Sequence, residues 1–503
     1  MAAWAMAGMK AQPLTPRHVA PCSAAGRVRW RWQSFLVVLS WKSTLQRSTD
    51  RRGGSSRRSF RPRARLEALP PTGLQLIAAR RGAPAGSVQD LHRKHLLALV
   101  ARQDELSVEY LPRSYLLPPD RGPTMSEWES FQRDFTLCDC LACLKTCCET
   151  ARKSPDLEGA TWKLQEASYH ALESLKSFNL PGLVQSVEAI ETIEDAEALV
   201  KAFEEAMPSL QPKILRRNWW LLKPVDGAVG KGIGLLGGLG SNMPQIAPEM
   251  FKGRASDGYI LQKYVEMPHL LDPSLLQEAE QAELAWQPTT SSAAAPRVVR
   301  EGTPPAMFKY NLRHWVLINW TGSDPPVWFY EHGYIELCTT PFTESLEVGS
   351  HIANLSQQGK PTLSAPCKRM WSTSTLSRYL EAVTGKDLWT TQILPEIKQV
   401  VARIVAAACP LRTGTEDGVE EKKQRHPWRR FGFDFALDEH FKVWLIEVNH
   451  RPGMKCAKGW QGDAKRRLLA QFYPDEQLLC GPNYGMSGDT WDPIGAFQRL
   501  PQQ

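Results

Sequence analysis

Phe431-Gly432-Phe433-Asp434-Phe435-Ala436-Leu437, followed after a short gap by Phe441-Lys442-Val443-Trp444-Leu445-Ile446-Glu447-Val448-Asn449, is the stretch that decides how this chain folds. Alternate side chains of a strand face opposite ways. Phe431, Phe433, Phe435 and Leu437 therefore share one face, with Asp434 on the other between the small residues Gly432 and Ala436. On the second run the alternation sets Trp444, Ile446 and Val448 on one side and Glu447 with Asn449 on the opposite one, about 7 Å apart along the strand. A loop with an even number of residues, 438–439 or 437–440, brings Asp434 onto the face of Glu447 and Asn449. Two carboxylates and an amide suit Mg²⁺, which takes few protein ligands and completes its octahedron with water and phosphate oxygens. The competing reading is a solvated polar strand face, against which the strongly apolar reverse side argues.

Upstream, Trp219-Trp220-Leu221-Leu222 reads as a buried strand that ends on Lys223-Pro224 and runs into a glycine-dense turn, Gly227 and Gly230-Lys231-Gly232-Ile233. Glycines that take positive φ expose backbone N–H groups, and such groups beside a lysine cradle phosphate oxygens. The spacing is neither a P-loop nor a dinucleotide fingerprint, so a plain glycine turn competes with the phosphate reading. Ile260-Leu261-Gln262-Lys263-Tyr264-Val265-Glu266 is a strand running into a linker, a position suited to adenine contacts. In Lys309-Tyr310-Asn311-Leu312-Arg313 alternation places Lys309, Asn311 and Arg313 on one face, which is equally the pattern of an exposed edge.

Composition bounds the rest. With 42% hydrophobic and 23% charged residues in 503, the chain is globular rather than collagenous, coiled-coil or wholly disordered. Residues 1–66 hold 14 of the 61 Lys and Arg and one acid, Asp50, for a charge of +13; the remainder carries 47 basic and 52 acidic residues, or −5. The basic character belongs to this arm, so the body gives no reason to expect a nucleic-acid partner. The longest early apolar run, Phe35 to Leu39, is far short of the ~20 residues of a membrane span. Eleven cysteines, an odd number in a large chain, read as reduced thiols in a cytosolic protein. Cys138, Cys140, Cys143, Cys147 and Cys148 lack paired zinc-ligand spacing and read as buried or partly buried thiols of a helix.

The arm 1–66 reads as disordered; a transit peptide and a basic arm for a polyanionic surface are the alternatives. Helical spacing appears at 91–106, 127–150, 160–177 and 190–206, and an extended segment at 108–117. Residues 274–305 read as a solvated insertion loop, 310–320 and 327–337 as strands, 387–408 as a helix, and the tail after 476 as irregular. The expected division is an arm 1–66, an N-terminal and helical part 86–210, a catalytic region 211–476 and a tail 477–503.

Taken together, these segments resemble the tubulin tyrosine ligase-like family, ATP-grasp ligases that attach amino acids to tubulin. Lys223-Pro224 with Gly230-Lys231-Gly232-Ile233 is similar to the family's phosphate loop, and Gln262 and Lys263 fall at its adenine-facing positions. Lys309-Tyr310-Asn311-Leu312-Arg313-His314-Trp315 looks like its Lys-Phe-Asp-Ile/Leu-Arg-x-Trp motif, His351-Ile352-Ala353-Asn354 like its His-Leu-Thr-Asn, and Asp434, Glu447 and Asn449 like its metal ligands. Leu111-Pro112-Arg113-Ser114-Tyr115 and Val327-Trp328-Phe329-Tyr330 look most like the glycine-adding branch, with polyglutamylases as the competitor.

The resemblance implies an α+β, ATP-grasp architecture with antiparallel and mixed sheets and flanking helices. It implies ATP held by Lys223, Gly230, Lys231, Gly232, Ile233, Gln262 and Lys263, and Mg²⁺ on Asp434, Glu447 and Asn449. Arg313 would neutralise an acyl phosphate, with Lys309 and Asn354 at the reaction centre. The implied partners are a free amino acid, glycine or glutamate, and the acidic tails of tubulin or microtubules. It implies a monomer of the cytoplasm and cytoskeleton, including the cilium or axoneme. Three residues depart from the pattern: Asn311 in place of Asp, Glu336 in place of Arg, and Arg451 after His450 in place of a small residue. Glu336 beside an acyl phosphate would repel it. A catalytically impaired nucleotide- or microtubule-binding protein, and an ATP-grasp ligase for another acceptor, therefore stay open.

Overall fold

The structure, a computed structural model, describes residues 94, 97–98, 109–117, 125–154, 157–178, 192–225, 232–240, 258–285, 305–319, 325–353, 369–408, 428–450, 452–454, 463–480 and 493–501. All lie in the unit Leu66–Gln503. The expected arm 1–66 and most of the helix at 91–106 fall outside them.

Two antiparallel sheets and their helices make an α+β architecture. The smaller sheet has the order β1-β4-β2-β3, from Ser114–Leu117, Trp219–Pro224 (β2), Gly234–Gly237 (β3) and Tyr259–Lys263 (β4). One face is apolar: Tyr115, Trp220, Leu222, Tyr259 and Leu261 bury against Phe131, Phe135, Leu141 and Phe203. Those partners come from helices α1 (Met125–Lys153) and α3 (Ile193–Ala206), with α2 (Leu157–Ser177) packed behind. α3 starts where Thr192 and Asp195 form a reciprocal capping box, and its buried residues Ala196, Leu199 and Phe203 follow the helical period. Cys138, Cys140 and Cys148 are buried and Cys143 and Cys147 half-buried, all as free thiols of α1. β1, from the expected part 86–210, pairs with β4 of the expected catalytic region 211–476.

The larger sheet runs β11-β10-β6-β7-β12, from Phe308–Asn319 (β6), Val327–Tyr330 (β7), Trp428–Leu437 (β10), Val443–His450 (β11) and Phe497–Leu500 (β12). β5 (Leu270–Leu271) and β8 (Tyr334–Leu337) pair with β6, and β9 (Met370–Ser372) with β8. Phe431, Phe433, Phe435, Leu437, Tyr310 and Leu312 form the main core with α5 (Thr373–Thr384) and α6 (Leu394–Ala408). Each fully buried Phe contributes roughly 2–3 kcal/mol relative to exposure.

Three expectations are corrected. Pro273–Ala285 is a helix (α4), with Leu276 fully buried, so the first part of the expected insertion loop packs on the core. The expected strand 327–337 is two strands parted at Gly333, where a Cβ would lie 2.5 Å from the Arg313 carbonyl oxygen. This close approach lets the chain shift along β6, β7 pairing with Val316 to Ile318 and β8 with Tyr310 to Arg313. The expected irregular tail is structured at the residues of it that are described, 477–480 and 493–501. α7 (Asp463–Cys480) continues past 476, and β12 lays a fully buried Phe497 against Tyr330 and Phe472.

Candidate functional site

The β10–β11 hairpin sets Asp434 opposite Glu447 and Gly432 opposite Asn449. It does so by a route the sequence does not display. The connection 438–442 has five residues, an odd number, which by itself would turn Asp434 away from Glu447. A register shift compensates: Asp434 pairs with Glu447 but Phe435 with Leu445, leaving Ile446 as an extra residue of β11. The bulge also revises the faces expected for β11. Val443, Leu445 and Val448 enter the main core, whereas Trp444 lies with Ile214 and Val265 and donates its indole N–H to Asp438 Oδ2 at 3.0 Å.

Asn449 Nδ2 donates to Asp434 Oδ2 and to Glu447 Oε1, both at 2.9 Å. Arg313, the cross-strand partner of Asp434, lays its Nε and Nη2 on the two Asp434 oxygens. Gly432 makes room for this: a Cβ there would stand 3.0 Å from Arg313 Cδ and 2.9 Å from Pro452 Cβ. Lys309 and Asn311 share the face, Lys309 Nζ donating to Asn311 Oδ1 at 3.2 Å. Glu336 is the partner of Asn311 on β8, half-buried, in the field of Arg313, Lys465 and Arg369. Burial raises its carboxyl above the ordinary value while those cations pull it down. No sequence signal links Arg369 or Lys465 to this face, since each arrives from a distant segment.

Lys223 looks at this cluster from the smaller sheet, across a cavity lined by Ser114, Lys223, Ile260, Gln262 and Glu447. Its Nζ donates to Gln262 Oε1 at 2.5 Å. Burial lowers the Lys223 ammonium to about 8, against the pull of Glu447. Burial pushes the Asp434 carboxyl up to about 7, which Arg313 only partly offsets. Burial would raise Glu447 as well, but Lys223, Asn449 and Asp434 outweigh it and hold the group near about 2. Asp434 and Glu447 are in hydrogen-bond contact. Two carboxyls so close favour a positive charge between them. With an amide beside them and Glu447 lining the cavity that Lys223 also lines, this donor set fits a small hard divalent cation.

Lys263 is placed differently from the expectation that its ammonium faces a nucleotide. It points to the opposite face of β4 from Gln262, fully buried, paired with Glu266 and donating to the Trp219 carbonyl at 2.8 Å. Adjacent strand residues cannot both face one cleft. Glu266, which the sequence reading left without a role, also accepts the N–H groups of Arg216 and Trp219 at 2.6 Å and that of Arg217. Gly232 has φ 74°, which a phosphate-binding turn and a plain glycine turn share, and Ile233 packs beside Trp219 and Leu235. His351 is buried between Tyr264, whose hydroxyl is 2.9 Å from its Nδ1, and the Ser345 carbonyl, 2.6 Å from its Nε2. Nε2 therefore carries the proton. Gly230, Lys231, Asn354 and Arg451 lie outside the described residues.

The comparisons with known proteins converge on one group. The chain is 27% identical over 325 residues to the tubulin monoglycylase TTLL3 of Mus musculus, covering 62% of this chain and 29% of that protein. It is 23% identical to the protein monoglycylase TTLL8 of Mus musculus, over 59% of this chain and 31% of that one. It is 25% identical to tubulin glycylase 3A of Drosophila melanogaster, over 47% of this chain and 20% of the other. The chain thus spans about three tenths or less of the length of these relatives. The model of the tubulin-tyrosine ligase family matches residues 178–473. That span takes in Lys223 and Gln262 on one side of the cavity, Glu447 on the other, and Arg313 and Asp434 beside Glu447, and the chain belongs to the tubulin-tyrosine ligase family.

Proposed function

We propose that this chain is an ATP-dependent ligase of ATP-grasp architecture that joins an amino acid, glycine in the first instance, to glutamate side chains of tubulin through an acyl phosphate. The single observation that carries the reading is the convergence of Asp434, Glu447 and Asn449 on one face, opposite Lys223 across a cavity. The glycylase names of the relatives support glycine over glutamate. The catalytic region is 211–476, with β1 and the helices of 86–210 backing the nucleotide side.

In this reading Asp434, Glu447 and Asn449 hold Mg²⁺, which when bound draws together phosphate oxygens and lowers their mutual repulsion. Lys223 and the N–H groups around Gly232 orient the phosphates, and Gln262 faces the base. Arg313 neutralises the carboxylate that accepts the phosphoryl group, and Lys309 stands on the same face. The free amine of the incoming amino acid then displaces phosphate. Positioning and charge neutralisation do most of the work in such transfers. The acceptor is the acidic tail of tubulin, and the monomer acts at the cytoskeleton, including ciliary axonemes. A second reading, an impaired nucleotide- or microtubule-binding member, is favoured by the placement of Asn311 and Glu336 side by side on the site face.

The test is incorporation of labelled glycine, and separately glutamate, into purified microtubules with Mg·ATP. Glycine alone is the expected result. Glutamate alone would move the chain to the glutamate-adding branch, and neither, from protein that binds ATP, would favour the second reading or an acceptor other than tubulin.

Lys223 gives the binding step a pH signature. With its value near about 8, against an ordinary 10.5, the lysine of the free site loses its proton as pH rises through 8. A bound phosphate restores that proton, so ATP affinity should be level below pH 8 and fall by up to about tenfold per unit above it. Calorimetric titrations at pH 7 to 10 in buffers of different ionisation enthalpy would show proton uptake. A flat affinity across that range would remove Lys223 from phosphate binding.

A further inference from the structure

Arg313 covers both oxygens of Asp434. A guanidinium is never deprotonated in a protein and must keep an acceptor when buried. A divalent cation on Asp434 therefore displaces the guanidinium from at least one oxygen, and the displaced group needs somewhere to go. Directly opposite Arg313 on β8 is Tyr334, and two residues along β8, diagonal to Arg313, is Glu336. Diagonal pairs on a sheet face lie within reach of a long side chain. Among the described residues the Glu336 carboxylate makes no hydrogen bond, yet Arg313 is the cation that acts on it most strongly. Gly432, on the other side of β6 from Glu336, lets the Arg313 stem lie close against β10 in its present seat.

The geometry points to Glu336 as the second seat of Arg313: a positioning residue that receives the guanidinium when a divalent cation takes Asp434. The inference rests on the metal reading of Asp434, Glu447 and Asn449 given above. It makes Glu336 a helper of cation entry, where charge alone would cast it only as a source of repulsion. Arg369 and Lys465, the other cations in its field, keep the vacated carboxylate from being a bare buried charge.

The experiment is a double-mutant cycle read by Mn²⁺ binding alone, with free Mn²⁺ followed by electron paramagnetic resonance on the full chain. Glu336→Gln keeps the shape and removes the seat. It should weaken Mn²⁺ binding about tenfold, and the effect should shrink to less than about twofold when Arg313→Met has already removed the group to be seated. Arg313→Met alone should tighten Mn²⁺ by removing a competitor. If the Met variant does not fold, Arg313→Gln closes the same cycle, and Glu336→Asp should recover part of the lost affinity. Equal losses in both Arg313 backgrounds would mean that Glu336 contributes only its field, which overturns the inference. A wild-type chain that binds Mn²⁺ with Glu336→Gln indistinguishable from it overturns the inference alone. A wild-type chain with no saturable Mn²⁺ binding overturns the metal reading and this inference with it.

Discussion

Lys263→Met should destabilise the protein by about 3–5 kcal/mol, the usual cost of stripping one partner from a buried ion pair. The Lys263 and Glu266 side chains are 0% and 1% exposed, so water cannot replace the lost ammonium. Methionine keeps most of the stem that passes Trp220, whose ring centre lies 5.4 Å from the Lys263 ammonium. The loss is therefore electrostatic rather than a cavity. Glu266 would keep the N–H groups of Arg216, Arg217 and Trp219 but carry an unbalanced charge. Those bonds tie the entry of β2 to the exit of β4, so the damage should spread to the smaller sheet. Urea denaturation with an unchanged slope and a lower midpoint is the expected readout. A variant of normal stability with weakened ATP binding would return Lys263 to the nucleotide side.

Glu447→Gln should do the reverse, removing Mg·ATP turnover by about 10³-fold, or ~4 kcal/mol of barrier, while leaving the fold in place. The substitution keeps volume and removes one of the two carboxylates from the cluster. Lys223 loses the charge that most opposes its desolvation, so the phosphate side of the cavity also weakens. Asp434 loses a neighbour whose charge had raised it, and it should ionise at lower pH. Glu447 is partly exposed and belongs to none of the apolar clusters, so a thermal melt close to wild type should accompany the kinetic loss. Unchanged turnover would take Glu447 out of the site.

The alternation of Phe431, Phe433, Phe435 and Leu437 was legible because a strand's inner face is written in every second residue. The meeting of Asp434 with Glu447 was legible only by cancellation. An even loop and a regular strand give the same parity as an odd loop and one bulge, and a bulge leaves no mark in hydrophobicity. Lys263 resembles an adenine-facing residue by position, but it is adjacent to Gln262, and adjacent strand residues oppose, so it turns to the buried face. The helix at Pro273–Ala285 hid behind an Ala- and Gln-rich composition, although Leu276, Ala279 and Glu280 are buried at helical spacing. Arg369 and Lys465 reach Glu336 through long-range packing, which no local pattern records.

The bulge at Ile446 gives that position an unusual kind of freedom. It is half-buried beside the cavity, and an apolar replacement of similar size leaves the strand's frame intact. Its removal does so too, because Glu447 would then follow Leu445 directly, still opposite Asp434, and Val448 would stay on the core side. The hairpin behaves as a reading frame written in side-chain direction. Ile446 stands outside that frame, so selection would be nearly blind to many substitutions at this codon and to its loss alike.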